Sequence, residues 1–215
     1  MLSLTDLHPY QHRAIEVIKQ RRRCGLALEM GLGKTASTMT AVRDLIDGCA
    51  ADRVLVIAPL RVANSVWAQE SKKWEHLRGL KVAVCTGTER QRLTALQKTA
   101  DVYVINRENV PWLVEQYKAW PFDMVVIDES SSFKAQSSRR WKALRRVLPY
   151  TEYMVLLTGT PTPNSLLDIW AQQYLIDQGA ALGKTFTGFK QRFLDRKSTR
   201  LNSSHVSESR MPSSA

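Results

Sequence analysis

Cysteine is scarce: Cys24, Cys49 and Cys85 lie far apart and form neither a Cys-x-x-Cys pair nor a cluster with histidine. That spacing argues against a disulfide framework and against a structural metal, and it reads as scattered thiols in a reducing cytoplasm. Long apolar runs are missing too. The longest, Val54-Leu55-Val56-Ile57-Ala58-Pro59-Leu60, is far too short to cross a bilayer, so no membrane partner is expected. The opening Met1-Leu2-Ser3-Leu4-Thr5-Asp6 has no basic region followed by an apolar core, and so no secretory signal. No internal repeat is present, and a length of 215 residues suits one domain of ordinary size.

What is present is apolar content and positive charge. Hydrophobic residues make up 44% of the sequence, enough to bury a core, which argues against wholesale disorder. The formal net charge of +11 favours a polyanionic partner, nucleic acid being the commonest. Charge alone does not decide this, because many basic proteins bind no nucleic acid.

Apolar strand-like runs alternate with amphipathic stretches, the pattern of a parallel sheet covered by helices on both faces. Strands are predicted at 24–28, 54–58, 80–84, 102–105, 122–127 and 154–157. Helices are predicted at 10–20, 34–46, 62–76, 89–98 and 164–176, with another carrying the basic residues after 128. Gly48 ends the second helix and Pro59 closes the second strand.

From Asp195 the periodicity stops, and serine crowds the remaining residues with almost nothing apolar to bury. The string Asp195-Arg196-Lys197-Ser198-Thr199-Arg200-Leu201-Asn202-Ser203-Ser204-His205 resembles the translation of a common sequencing-adapter oligonucleotide. Residues 1–194 are therefore expected to form the domain. Residues 195–215 are expected to be a non-native, disordered tail, with the natural protein continuing differently.

Two short segments carry chemistry. Glu29-Met30-Gly31-Leu32-Gly33-Lys34-Thr35 falls between a predicted strand and a predicted helix, the setting a phosphate-binding loop requires. Glycines let successive backbone N–H groups face phosphate oxygens, and the helix adds the positive end of its dipole. Lys34 is expected to neutralise the β- and γ-phosphates and Thr35 to ligate Mg²⁺. The general pattern asks for glycine at position 28, where this chain has Leu28. Asp128-Glu129 follows Met124-Val125-Val126-Ile127, which puts both carboxylates at the carboxyl end of a buried strand. Asp128 is expected to hold Mg²⁺, in part through water, and Glu129 to orient and deprotonate the attacking water. Either segment alone has a bland reading, as a Gly-rich turn or a helix start. Together they read as two halves of one site.

In order along residues 7 to 175, these motifs resemble those of the Swi/Snf-type DNA-translocating ATPases of helicase superfamily two. The segment 29–35 resembles motif I, and Ile57-Ala58-Pro59-Leu60 with Trp67 and Glu70 resembles motif Ia. Leu157-Thr158-Gly159-Thr160-Pro161 with Asn164 resembles motif III, and Leu7, Pro9, Tyr10 and Gln11 resemble the element that recognises adenine. The run Asp128-Glu129-Ser130-Ser131-Ser132-Phe133-Lys134 resembles motif II of phage and prokaryotic members, with Ser131 where the family more often has histidine.

The resemblance implies a RecA-like P-loop NTPase fold, ATP and Mg²⁺ as cofactors, and double-stranded DNA as partner. It places Gln11 and Tyr10 at the adenine and Met30, Gly31, Leu32, Gly33, Lys34 and Thr35 at the phosphates. Thr158, Gly159 and Thr160 then couple the phosphate site to a DNA groove. Arg61 and Arg107, just past their strands, are candidate contacts to DNA phosphates. The family uses two RecA-like lobes, and nothing here matches the second lobe's motifs. A monomeric ATP-binding lobe of weak activity is implied, in the cytoplasm of a prokaryotic cell or phage-infected host. The alternative is a non-motor ATP-dependent switch or clamp that regulates assembly on nucleic acid. The clusters Arg21-Arg22-Arg23 and Arg139-Arg140-Lys142-Arg145-Arg146 read as solvated faces before DNA tracks, and the tryptophans as packing residues.

Overall fold

The computed structural model describes residues 1–162 and 165–193; the Ser-rich tail and Asn164 lie outside the described residues. Six strands form one sheet: β1 (Arg23–Ala27), β2 (Val54–Ala58), β3 (Val82–Cys85), β4 (Val102–Asn106), β5 (Met124–Asp128) and β6 (Tyr153–Thr158). All five pairings are parallel, in the order β1-β6-β5-β2-β4-β3. A parallel strand buried on both faces must be apolar throughout, and β2, β4 and β6 have every residue buried.

Alternate residues then sort the strands into two cores. Val54, Val56, Val104, Val126 and Val155 join one cluster, while Leu55, Ile57, Ile105, Ile127 and Leu156 join the other. The first core is covered by α1 (Pro9–Arg21), α2 (Lys34–Asp47) and α3 (Leu60–Lys73). The second is covered by α4 (Glu89–Leu96), α5 (Val110–Gln116), α6 (Arg139–Val147), α7 (Asp168–Asp177) and α8 (Phe186–Phe193). The expected RecA-like layering is what the chain adopts.

Several boundaries move. The third helix begins at Leu60 and stops at Lys73, because Trp74 takes extended backbone before a separate turn at Glu75–Leu77. The helix expected from 164 begins at Asp168 instead. Helices α5 and α8 were not expected. The former is short and carries Pro111 in its first turn, yet buries Val110, Leu113 and Val114 at helical spacing.

The tryptophans pack as expected, with Trp67, Trp74, Trp141 and Trp170 all buried. The cluster at 21–23 is not simply a solvated face. Arg22 pairs with Glu152, and Arg23 donates to the backbone oxygens of Leu148 and Thr151. Both sit at the amino ends of the strands, the rim opposite the phosphate loop. On α6, Arg140 lies over the Phe133 ring, while Arg145 lies over Trp141 and Tyr174. None of the described helices is long and apolar enough to cross a membrane.

Candidate nucleotide site

The strand order sets the site. Register pairs Ala27 of β1 with Thr158 of β6, and Leu157 of β6 with Asp128 of β5. The three segments singled out in the sequence therefore emerge side by side on the carboxyl rim, the 158–161 turn between the phosphate loop and the acidic pair. Further along the same rim, Arg61 follows β2 and Arg107 follows β4.

Gly33 opens α2 in left-handed backbone (φ 68°), and Gly31 adopts the same region (φ 84°). Both positions tolerate glycine far better than any residue with a Cβ. Lys34 Nζ donates to the backbone oxygens of Leu28 (2.6 Å) and Glu29 (2.9 Å), so the cation spans the mouth of its own loop. Leu28 substitutes for the expected glycine without harm to the turn, because it prolongs the ladder: its N–H donates to the Thr158 oxygen at 3.1 Å. Thr35 follows as the second residue of α2, half-buried. Met30 and Leu32 are exposed on the loop.

Gln11 is buried, not an exposed helix-start residue. Its Oε1 accepts from the His8 N–H at 2.8 Å, which caps α1, and its Nε2 faces the phosphate loop. A Cβ on Gly33 would stand 2.1 Å from that Nε2. The adenine-element glutamine thus touches motif I directly. Tyr10 is partly exposed and stacks on His8, with ring centroids 5.5 Å apart.

Asp128 ends β5 with Oδ2 accepting from Trp67 Nε1 at 3.1 Å. Burial pushes its carboxyl above the usual carboxylate range; the Trp67 hydrogen bond and the Lys34 charge pull the other way. Trp67 is therefore more than packing, since it reaches from α3 to hold a candidate Mg²⁺ ligand. Glu129 sits in left-handed backbone (φ 58°), and its Oε1 accepts from the Ser131 hydroxyl at 2.6 Å. Ser131, where the family more often has histidine, thus binds the carboxylate two residues before it.

The 158–161 turn has its own hydrogen bond, from the Thr160 N–H to Thr158 Oγ1 at 3.1 Å. Gly159 approaches the phosphate loop: a Cβ there would lie 3.7 Å from the Leu28 oxygen. Thr160 is exposed, and Asn164 falls outside the described residues. Arg61 is exposed at the start of α3. Arg107 is paired with Glu108 at 2.9 Å, a carboxylate that also lies 3.9 Å from Arg140. Sequence reasoning missed Gln172, which α7 places against both Ser130 and the 158–161 turn. A lone polar residue on a helix gives no signal of such a role.

Comparisons with known proteins agree with this geometry. A family model described as the SNF2-related domain matches residues 10–206. A phage protein, p41 of Acyrthosiphon pisum secondary endosymbiont phage 1, is 39% identical over 196 residues, covering 87% of this chain and 43% of the relative. The mouse DNA excision repair protein ERCC-6-like is 31% identical over 185 residues, covering 81% of this chain and 14% of the relative. The solved Sulfolobus solfataricus SWI2/SNF2 ATPase core in complex with dsDNA superposes with a TM-score of 0.77 at 25% identity. That match covers 90% of this chain and 40% of the archaeal one. The chain thus spans less than half the length of these relatives. With a family model that matches nearly its whole length, a RecA-like sheet and motifs I, II and III on one rim, this chain belongs to the SNF2-related domain family.

Proposed function

We propose that this chain is the ATP-binding lobe of a DNA-dependent ATPase that hydrolyses ATP with Mg²⁺ to move along duplex DNA. The observation that carries the reading is the order β1-β6-β5, which lines up the phosphate loop, the Thr158–Thr160 turn and Asp128–Glu129 on one rim. The residues suit the groups they would hold. Left-handed Gly31 and Gly33 leave the loop without side chains where phosphate oxygens would approach, and the start of α2 adds its positive dipole end. Lys34, which donates to two backbone carbonyls, can exchange them for a β- or γ-phosphate. Thr35 and Asp128 supply a hydroxyl and a carboxylate, a donor set that suits Mg²⁺.

Bound Mg²⁺ supplies charge neutralisation of the phosphates. The chain's own groups do the rest. Trp67 fixes Asp128, Ser131 fixes Glu129, and Glu129 orients a water and takes its proton. Gln11 and Tyr10 take the adenine side. The DNA reading draws on the archaeal relative, solved in complex with dsDNA, and on Arg61 and Arg107 standing on the same rim. A second RecA-like lobe of the same parent protein completes the cleft in this reading, so the isolated chain turns over slowly. The alternative of a non-motor switch has no observation in its favour beyond the ATP site that both share.

The test is nucleotide titration of the chain and of Lys34→Ala. Binding that requires Mg²⁺ and disappears in Lys34→Ala is expected, with little hydrolysis. Unchanged binding in the variant removes Lys34 from its role, and vigorous DNA-stimulated turnover by the chain alone refutes the need for a second lobe.

A further inference from the structure

Motif II and the 158–161 turn are joined by a buried side chain outside every motif. Ser130, next to Glu129, donates its hydroxyl to Gln172 Oε1 at 2.7 Å, and Gln172 Nε2 donates to the backbone oxygen of Pro161 at 2.7 Å. The same nitrogen donates to the Asp168 oxygen at 3.0 Å. Ser130 is 1% exposed and Gln172 4%, so neither exchanges these bonds for water. The amide has one orientation here. Turned over, it would set its oxygen against two carbonyl oxygens, neither of which can donate.

A planar amide held at both ends cannot follow Ser130 without pulling on Pro161. Two further bonds fix the helix that carries it: Lys134 pairs with Asp168 at 3.5 Å, and Trp141 Nε1 donates to the Ala171 oxygen at 2.8 Å. The relay borders a cavity of about 110 Å³ lined by Gly25, Thr158, Ile169 and Ile176 among others, room for the amide to shift. On its far side Gly159 abuts the phosphate loop at Leu28. The contacts thus run from the acidic pair through Ser130, Gln172 and Pro161 to Gly159 and the loop.

We propose that Gln172 is a positioning residue that transmits the state of the acidic pair to the Thr158–Pro161 turn. Ser131 is committed to Glu129, so the link to the turn runs through its neighbour Ser130 and a glutamine on α7. The inference rests on reading Asp128–Glu129 and the phosphate loop as a nucleotide site. Gln172 touches no nucleotide group in that reading, and its loss should leave nucleotide affinity nearly unchanged.

Hydrogen exchange at the amides of Gly159 and Thr160 tests it, in the full chain with and without Mg²⁺ and a slowly hydrolysed ATP analogue. Nucleotide should slow exchange there by about tenfold in the parent chain, and the response should fall to about twofold or less in Gln172→Leu with affinity retained. Ser130→Ala cuts the relay from its other end, removes only a hydroxyl, and should show the same loss; it decides the matter if Gln172→Leu does not fold. A full response in either folded variant overturns the proposal. So does a parent chain that binds nucleotide with no change at these amides. A parent chain that binds no nucleotide overturns the underlying site reading instead.

Discussion

Asp128 carries a tension between stability and use. Its carboxyl is pushed above the ordinary range by burial, so the folded state binds its proton more tightly than the unfolded chain does. Stability linked to that proton is present at low pH and lost as pH rises through the raised value. Above that value the ionised group therefore weighs against folding, offset in part by the Trp67 bond. Asp128→Asn should raise stability at pH values above the raised one, since an amide keeps an acceptor for Trp67 without the buried charge. The gain should vanish as pH falls through the raised value, where Asp128 is itself neutral. Urea unfolding of the two chains across pH checks this, and Mg²⁺-dependent nucleotide binding should be lost in the stabler one.

The phosphate loop shows the same economy at the scale of an element. Gly31 and Gly33 share left-handed backbone, but only Gly33 has a neighbour in the way, Gln11 Nε2. Alanine at either position should cost about 1–2 kcal/mol for its backbone conformation. Gly33→Ala should cost more, because Gln11 must leave its place and with it the cap on α1. Thermal unfolding of Gly31→Ala and Gly33→Ala gives the ranking, and equal losses would mean that Gln11 yields freely.

Much of this element's setting was legible beforehand: Gly31, Gly33, Lys34 and Thr35 were expected where a strand gives way to a helix, and Asp128-Glu129 at the end of a buried strand, and the structure has both. The bonds that hold those residues were not legible. Trp67 looks like any core tryptophan, Gln11 like a solvated residue on a first turn, and Gln172 like a polar helix face. Each is identified by what lies across from it, and that depends on strand order. No periodicity reveals that β6 slots between β1 and β5. Helix α5 escaped because it is short and carries a proline.

Across the whole molecule, charge is distributed unevenly. Arg22 and Arg23 are engaged at the amino rim, and Arg140 and Arg145 lie over aromatic rings. These contacts leave the positive charge in place but tie down several of the guanidinium groups that carry it. On the carboxyl rim Arg107 is shared with Glu108, whereas Arg61 stands exposed. If the rim binds duplex DNA, affinity should fall steeply with salt, and Arg61→Ala should reduce the log–log slope by about 1. Arg107→Ala should reduce it less, because its charge is already partly spent on a carboxylate. Fluorescence anisotropy with a labelled duplex over a salt series measures both; equal slopes in all three chains would move the DNA path elsewhere.

The position of β6 also has a consequence for synthesis. As the chain leaves a ribosome, the phosphate loop and the acidic pair emerge first, yet the strand that must lie between them comes last of the six. Until residue 158 has emerged, β1 has no strand to pair with and the two halves of the site have no fixed spacing. If the proposed nucleotide site is right, ATP can stabilise the domain only after this strand has emerged and been inserted.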